Sequence, residues 1–344
     1  MIVTGVVIRK FLLGSATVAV LLSFVMSGAQ AASSQAGGAI GAGSTNLHWD
    51  EGAEDCSKAS HAPLSTQAYN QRTWILRENL CATWEAPFMY LLLGSKRALL
   101  IDTGDVADPG KMPLATTVMD LLPGGATAKL SLLVVHTHRH LDHRSGDGQF
   151  ASLPSVQVVG YDLESVKRFY NFPAWPNGLA QIDLGDRIVD VIPSPGHNET
   201  EVSFYDRETG LLFSGDFLLQ GRLLVDDTAA YRASAERVAD FVKDRPVSYV
   251  LGGHIEKNAS GSLFPWQSQY HPKEHPLPLT KDDVLALPVA LRGFNGFYLD
   301  NGQFVILNSI RILIVMTIAA ILLIVGLIIL TVRYIRRRRR RLVI

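Results

Sequence analysis

The segment from Leu132 to Gly146 reads LLVVHTHRHLDHRSG. A continuous apolar run, the signature of a buried strand, ends in a cluster of histidines with one aspartate. Within it His138, His140, Asp142 and His143 form the pattern H-x-H-x-D-H. Alternate residues at a strand end point the same way, so His138 and His140 can grip one ion. Asp142 and His143 lie further round the loop and can face a second. Imidazole and carboxylate donors at this density suit zinc, with iron as second choice. His136 stands two residues before His138. Counting it as the first ligand spoils the spacing to Asp142, so it reads as a packed or hydrogen-bonded neighbour.

Four further segments place a polar, metal-capable residue just after an apolar strand. ALLIDTG delivers Asp102, VIPSPGHNET delivers His197 after a Pro-Gly turn, LLFSGDF delivers Asp216, and YVLGGH delivers His254. A lone aspartate at a strand end is usually a cap or turn residue, and a lone histidine is usually structural. The repetition in one order is what points to a shared site.

The elements that must position these residues read as α/β. Met89 to Leu93 and Ala98 to Ile101 flank Gly94-Ser95 as a hairpin. Leu130 to Val135, Val156 to Val159, Arg187 to Ile192 and Ser248 to Leu251 read as strands. Val202 to Tyr205 and Leu211 to Phe213 flank a turn at Glu208-Thr209-Gly210, and Ala233 to Val242 has helical spacing. Tyr298-Leu299 and Phe304 to Leu307 flank Asn301-Gly302, a strong hairpin signal.

Taken together, the five segments resemble the five motifs of the metallo-β-lactamase fold superfamily, over about residues 70 to 256. The resemblance implies an α/β fold, a four-layer αββα sandwich with metals at one edge. It implies one metal site of His138, His140 and His197, and a second of Asp142, His143 and His254. Asp216 would bridge both, and Asp102 would orient ligands by hydrogen bonds. The implied cofactor is two zinc ions, with one ferrous iron as the alternative. Such ions make hydroxide available at neutral pH and offset oxyanion charge, with Asp142 as the catalytic residue that receives or steers a proton. No G-x-S-x-G elbow is evident.

An aspartate in the bridging position resembles glyoxalase-II-like thioesterases and lactonases more than zinc β-lactamases. The expected reaction is therefore hydrolysis of an ester, thioester, lactone or related acyl bond in a small-molecule substrate. The chain after His254 is too short and too unlike a glutathione-binding helical domain for glyoxalase II itself. A mono-iron persulfide dioxygenase-like oxidoreductase, a β-lactamase and a non-catalytic membrane-tethered binding domain remain as alternatives. Trp266, Tyr270 and His271 in the extension, and Trp175 beside Phe172, are candidate pocket residues. Packing is the competing reading for all four.

The two ends set the topology. Arg9 and Lys10, the apolar stretch Phe11 to Met26 and Ala29-Gln30-Ala31 read as a signal peptide over residues 1–31. Residues 32–50 read as a low-complexity linker. The expected catalytic domain covers residues 51–256 and an extension 257–309. Ile312 to Val332 carries no charge, and as a helix it is about 31 Å long, the thickness of a bilayer core. A transmembrane helix is expected over residues 310–333 and a basic tail over 334–344. Arg336 to Arg341 place that tail in the cytoplasm and the catalytic domain in the periplasm or outside the cell.

The formal net charge of zero hides an asymmetry. With the ten basic residues at the two ends set aside, 22 basic residues face 32 acidic ones. An acidic middle repels phosphate backbones, so nucleic acid is not an expected partner. Cys56 and Cys81 are the only cysteines. Their spacing fits no zinc motif, and the sequence leaves open whether they pair.

Overall fold

A computed structural model describes residues 41–124 and 130–341. The expected signal peptide, and residues 32–40 of the expected linker, lie outside the described residues.

Two mixed sheets carry the chain. The first holds β1 (Leu64–Asn70), β2 (Thr73–Glu78), β3 (Phe88–Leu93), β4 (Arg97–Ile101), β5 (Ser131–Val135) and β6 (Val156–Val158), in that order. Its first four strands pair antiparallel, and β5 and β6 join parallel. The second sheet uses β7 (Ala180–Asp183), β8 (Ile188–Pro193), β9 (Val202–Asp206), β10 (Leu211–Gly215) and β12 (Tyr249–Gly252). Its order is β12-β10-β9-β8-β7, with only the β10–β12 pair parallel. The parallel pairs need crossovers. Helix α1 (Leu114–Leu121) lies between β4 and β5, α2 (Asp147–Phe150) between β5 and β6, and α4 (Thr228–Lys243) between β10 and β12, while α3 (Leu163–Tyr170) links the two sheets.

Residue alternation sorts these strands into layers. Leu133 and Val135 of β5 face an inter-sheet core with Val189, Val191, Phe204 and Phe213. Leu132 and Val134 face the other way, onto Leu114, Val118 and Phe150. On the outer face of the second sheet, Leu212 and Val250 meet Val238 and Val242 of α4, and Leu287 and Leu291 of α5 (Lys281–Gly293). Helix, sheet, sheet and helix are thus stacked as the motifs imply. Each fully buried large aliphatic or aromatic residue contributes about 1.5–3 kcal/mol.

One polar joint crosses the sandwich. The guanidinium of Arg187 donates to both carboxylate oxygens of Asp206, at 2.9 and 2.7 Å, and also to Thr73 and the Arg72 carbonyl. Both side chains are fully buried.

Residues 41–50 run along the first sheet. Ser44 donates its amide to the Tyr69 carbonyl, and Trp49 packs edge-on against Phe88 at 5.0 Å. Leu47 and Trp49 bury apolar surface there, which is why this part of the expected linker is held to the sandwich. Cys56 and Cys81 form a disulfide, which answers the question the sequence left open.

A third, three-stranded sheet joins β11 (Arg222–Leu224), β14 (Val305–Leu307) and β13 (Tyr298–Asp300). The last helix, α6 (Ser309–Arg341), leaves β14 after one residue. Its segment Ser309–Arg338 is 30 residues long, its most apolar stretch has a mean hydropathy of 3.3, and it is long and apolar enough to cross a membrane.

Candidate metal centre

All seven sequence-predicted metal residues converge at one edge of the two main sheets. Donor atoms of His138, His140 and His197 lie within 4.8 Å of one another, as do those of Asp142, His143, Asp216 and His254.

The β5 end supplies most of them. Beyond Val135 the backbone is held by Asp102, whose Oδ1 accepts from the Thr137 amide at 2.7 Å and whose Oδ2 accepts from Thr137 Oγ1 at 2.9 Å. Asp102 itself sits at φ 66, a left-handed conformation that aspartate tolerates better than most residues. The chain then tightens into a 3-10 turn over Leu141–His143, which swings Asp142 and His143 away from His138 and His140. His197 arrives from the loop after β8, Asp216 from the end of β10 and His254 from the end of β12.

Four imidazoles are held alike. Nδ1 of His138 lies 3.1 Å from Thr137 Oγ1, and Nδ1 of His143 lies 2.9 Å from Asp102 Oδ2. Nδ1 of His197 lies 3.0 Å from the Leu224 carbonyl, and Nδ1 of His254 lies 2.7 Å from the Glu85 carbonyl. An oxygen acceptor at Nδ1 fixes the N–H there and leaves the Nε2 lone pair for the cluster. His140 is reversed: its Nδ1 lies 2.9 Å from His138 Nε2 and 3.0 Å from His197 Nε2.

Asp216 stands between the two groups. Its Oδ1 is 3.5 Å from Nε2 of both His143 and His254, and its Oδ2 is 3.6 Å from Nε2 of His197. Oδ1 is buried without a hydrogen-bond partner. Buried oxygens are normally paired, and nitrogens do not converge at hydrogen-bond distance without a proton or cation between them. The orphaned carboxylate oxygen and the facing Nε2 atoms together fit a divalent metal site.

Electrostatics agrees. Burial would raise the Asp216 pKa, but the charges on His254 and His143 outweigh it and hold the carboxyl far below its usual range. Burial works against a charge on His254, yet Asp216 and Asp142 push it up to about 10. His138 is driven well below its usual value by burial and by the neighbouring imidazoles. Protons and cations compete for such positions.

Two glycines let the motif segments meet. A methyl group at Gly215 would come within 2.6 Å of the Thr137 Cβ. One at Gly253 would come within 2.4 Å of Asp216 Oδ1 and 2.9 Å of His143 Cε1.

The centre opens into a cleft that His140, Asp142, His197, Asp216 and His254 all line. Trp266 and His271 line it as well. Neither Tyr270 nor Trp175 belongs to its lining. Tyr270 is bridged to Gly52, and the next residue, His271, reaches the cleft. Trp175 stacks edge-on against Phe172 beside the inter-sheet core. His136 turns to Asp147 Oδ1 at 2.8 Å, as a hydrogen-bonded neighbour.

Of the remaining walls, Phe264 is one of the extension's aromatics weighed from sequence, whereas sequence reasoning did not single out Trp84, Glu85 and Arg222. Trp84 and Glu85 lie in the loop after Cys81, and Trp84 meets Trp266 at 5.6 Å. Burial pushes the Glu85 carboxyl up to about 7, against the pull of His254 and with the nearby Asp142 and Asp216 adding to it. Arg222 bridges Glu256 at 3.2 Å and donates to the Phe264 carbonyl. Phe264 stacks on His271 at 4.1 Å, and His271 Nδ1 lies 2.9 Å from Glu274, which Arg77 grips with both nitrogens.

A two-sheet α/β sandwich with a histidine–aspartate cluster at its edge defines a metal-dependent enzyme of the metallo-β-lactamase kind. Residues 82–254, half of the chain, match the family described as Metallo-beta-lactamase superfamily, and the chain belongs to that superfamily. The acyl-coenzyme A thioesterase MBLAC2 of Gallus gallus is 28% identical over 245 residues, covering 61% of this chain and 86% of that protein. A hydroxyacylglutathione hydrolase of Hahella chejuensis is 31% identical over 160 residues, covering 44% of this chain and 58% of that protein. A solved metallo-β-lactamase from Hirschia baltica aligns with 16% identity and a TM-score of 0.42, over 56% of this chain and 91% of that one. The expectation of a metallo-β-lactamase-fold hydrolase is met by the family and by relatives that are themselves named hydrolases.

Proposed function

We propose that this chain is a dinuclear zinc hydrolase that cleaves a thioester or related acyl ester outside the cytoplasm. The observation that carries the reading is Asp216, whose two oxygens are divided between two complete donor groups. His138, His140 and His197 would hold one ion. Asp142, His143 and His254 would hold the other, Asp216 would serve both, and Asp102 would orient His143. Ions held there would supply an activated hydroxide and a positive field for the oxyanion.

The chain's own residues do the rest. Oδ2 of Asp142 lies 3.2 Å from Nε2 of both His143 and His254, so it is placed to take or steer a proton. Trp84, Trp266 and Phe264 offer apolar walls to an acyl group and shield it from water. The thioesterase and hydroxyacylglutathione hydrolase relatives support a thioester as the preferred bond. In this reading residues 51–256 form the catalytic domain, 257–309 complete the cleft, 310–333 span the membrane and 334–344 lie in the cytoplasm. A disulfide beside the cleft supports an oxidising compartment for the domain.

The test is metal analysis of the purified full chain together with turnover of acyl thioesters, lactones and β-lactams. Two zinc ions per chain with thioester turnover supports the proposal. One iron with oxygen consumed on a persulfide would replace it with the oxidoreductase.

A further inference from the structure

The join between the last helix and the metal centre is short and rigid. Strand β14 pairs in parallel with β11, so that Leu307 lies opposite Leu224. The Leu224 carbonyl is the oxygen that fixes His197. One residue, Asn308, separates β14 from the start of α6. Adjacent strands lie about 4.8 Å apart and each chain step covers at most 3.8 Å, so α6 begins within about 12 Å of Leu224.

Asn308 locks this joint. It is fully buried. Its amide donates to the Phe297 carbonyl at 2.9 Å, and its Nδ2 donates to the Asp226 carbonyl at 3.2 Å. Its Oδ1 accepts from the Arg311 amide at 2.8 Å, as a helix N-cap. The Asp226 and Asp227 amides both donate to Gly196, the residue before His197. A continuous run of hydrogen bonds therefore connects the cap of the apolar helix to the loop that carries a metal-capable histidine. No flexible spacer intervenes.

The surface around the helix base is suited to an interface. Phe297 and Tyr298 are exposed beside the helix start, and Trp266 is exposed on the cleft rim, 5.5 Å from the Arg222 guanidinium of β11. Exposed aromatic rings flanking a membrane span prefer the headgroup region. Lipid is the partner that fits α6, given its length, its lack of any buried face and the arginine run that closes it.

We propose that the cleft is fixed at the bilayer surface and takes an acyl ester or thioester whose chain lies in the membrane. This rests on the hydrolase reading above. A flexible tether would let the domain sample bulk solution, whereas this one confines the centre to within roughly two helix diameters of the headgroups. Confinement raises the effective concentration of membrane-borne substrate and does nothing for a soluble one.

The test uses the full chain in phosphatidylcholine vesicles. One substrate is a long-chain acyl thioester carried in the bilayer at varied mole fraction, and the other is its water-soluble short-chain homologue. A variant carries about ten Gly and Ser residues between Asn308 and Ser309, adding a coil of about 18 Å. The expected result is a long-chain rate that follows surface mole fraction and falls about tenfold in the variant, with short-chain turnover unchanged. The paired change Phe297→Ser with Tyr298→Ser, on the native tether, should also lower the long-chain rate and spare the short-chain one. Equal rates on both substrates in every variant would overturn the membrane placement while leaving the hydrolase standing. No turnover of either substrate by the metal-loaded native chain would overturn both.

Discussion

Asp102 Oδ2 and His143 Nδ1 meet at 2.9 Å with both side chains buried, so an anion at this point decides which nitrogen of His143 is free. Asp102→Asn removes the charge and keeps the shape, and asparagine also tolerates the left-handed backbone at φ 66. The fold should survive. Metal affinity should fall by about 10- to 100-fold, the range seen when a carboxylate behind a metal-bound histidine is lost. Competition against a chromophoric chelator would measure it, and an unchanged affinity would mean that Asp102 serves Thr137 alone.

Gly253→Ala should leave a folded protein that binds metal poorly. The added methyl would meet Asp216 Oδ1 at 2.4 Å and His143 Cε1 at 2.9 Å. Both side chains must then shift by several tenths of an ångström or more. Circular dichroism close to that of the parent, with metal content below that of the parent, is the expected pair of observations.

Arg187→Ala should destabilise the sandwich by about 3–5 kcal/mol, because it strands the Asp206 carboxylate in a fully buried position. Replacing both residues by apolar ones of similar volume should cost less than the single change. Thermal or denaturant unfolding of the detergent-solubilised chain would compare them.

Acid should loosen the cleft wall through Glu274. Burial favours the neutral carboxyl, but the Arg77 charge and the hydrogen bonds from His271 and Arg77 outweigh it and hold the pKa below the ordinary 4.5. A depressed carboxylate pKa stabilises the fold above the unfolded value and loses that contribution as pH falls through the folded one. Native protein should therefore lose stability below about pH 4.5 more steeply than Glu274→Gln, which lacks this titration. The variant should in turn be less stable at neutral pH, where Arg77 is left buried without its partner. Parallel pH profiles would show that the pair contributes nothing to the acid response.

Removing the disulfide should loosen the loop that carries Trp84 and Glu85. The bridge closes a sequence separation of 25, for which chain entropy predicts a contribution of about 3–4 kcal/mol. Cys56→Ser with Cys81→Ser should lower Tm. It should also raise KM more than it lowers kcat, since Trp84 lines the cleft without being a metal donor.

The residues of the candidate metal centre were legible because each follows an apolar strand, and a polar residue at such a point has few structural reasons to recur. The hairpins at Gly94-Ser95 and Asn301-Gly302 were legible from turn chemistry for the same kind of local reason. Strands β1 and β2 gave no such signal. Thr73, Arg77 and Glu78 are polar yet buried, and Arg77 is paired with a residue 197 positions away. No local pattern encodes such a partner. The cleft walls were partly hidden for a related reason. Tyr270 and His271 look equally suitable in sequence, and only the fold distinguishes them, with Tyr270 paired to Gly52 and His271 on the cleft.

The division of Asp216 between two donor groups has a consequence for how the centre fills. If each group takes an ion, as proposed, the first to bind would take a share of the one negative charge that both groups own. The second would then enter a less anionic site, beside a divalent neighbour that repels it. The two occupancies would be coupled, and antagonistically. At substoichiometric zinc the population should consist largely of half-filled molecules rather than a mixture of empty and full ones. The catalytic rate should then rise with a lag along the titration, because the earliest equivalents of metal would produce mostly singly loaded protein.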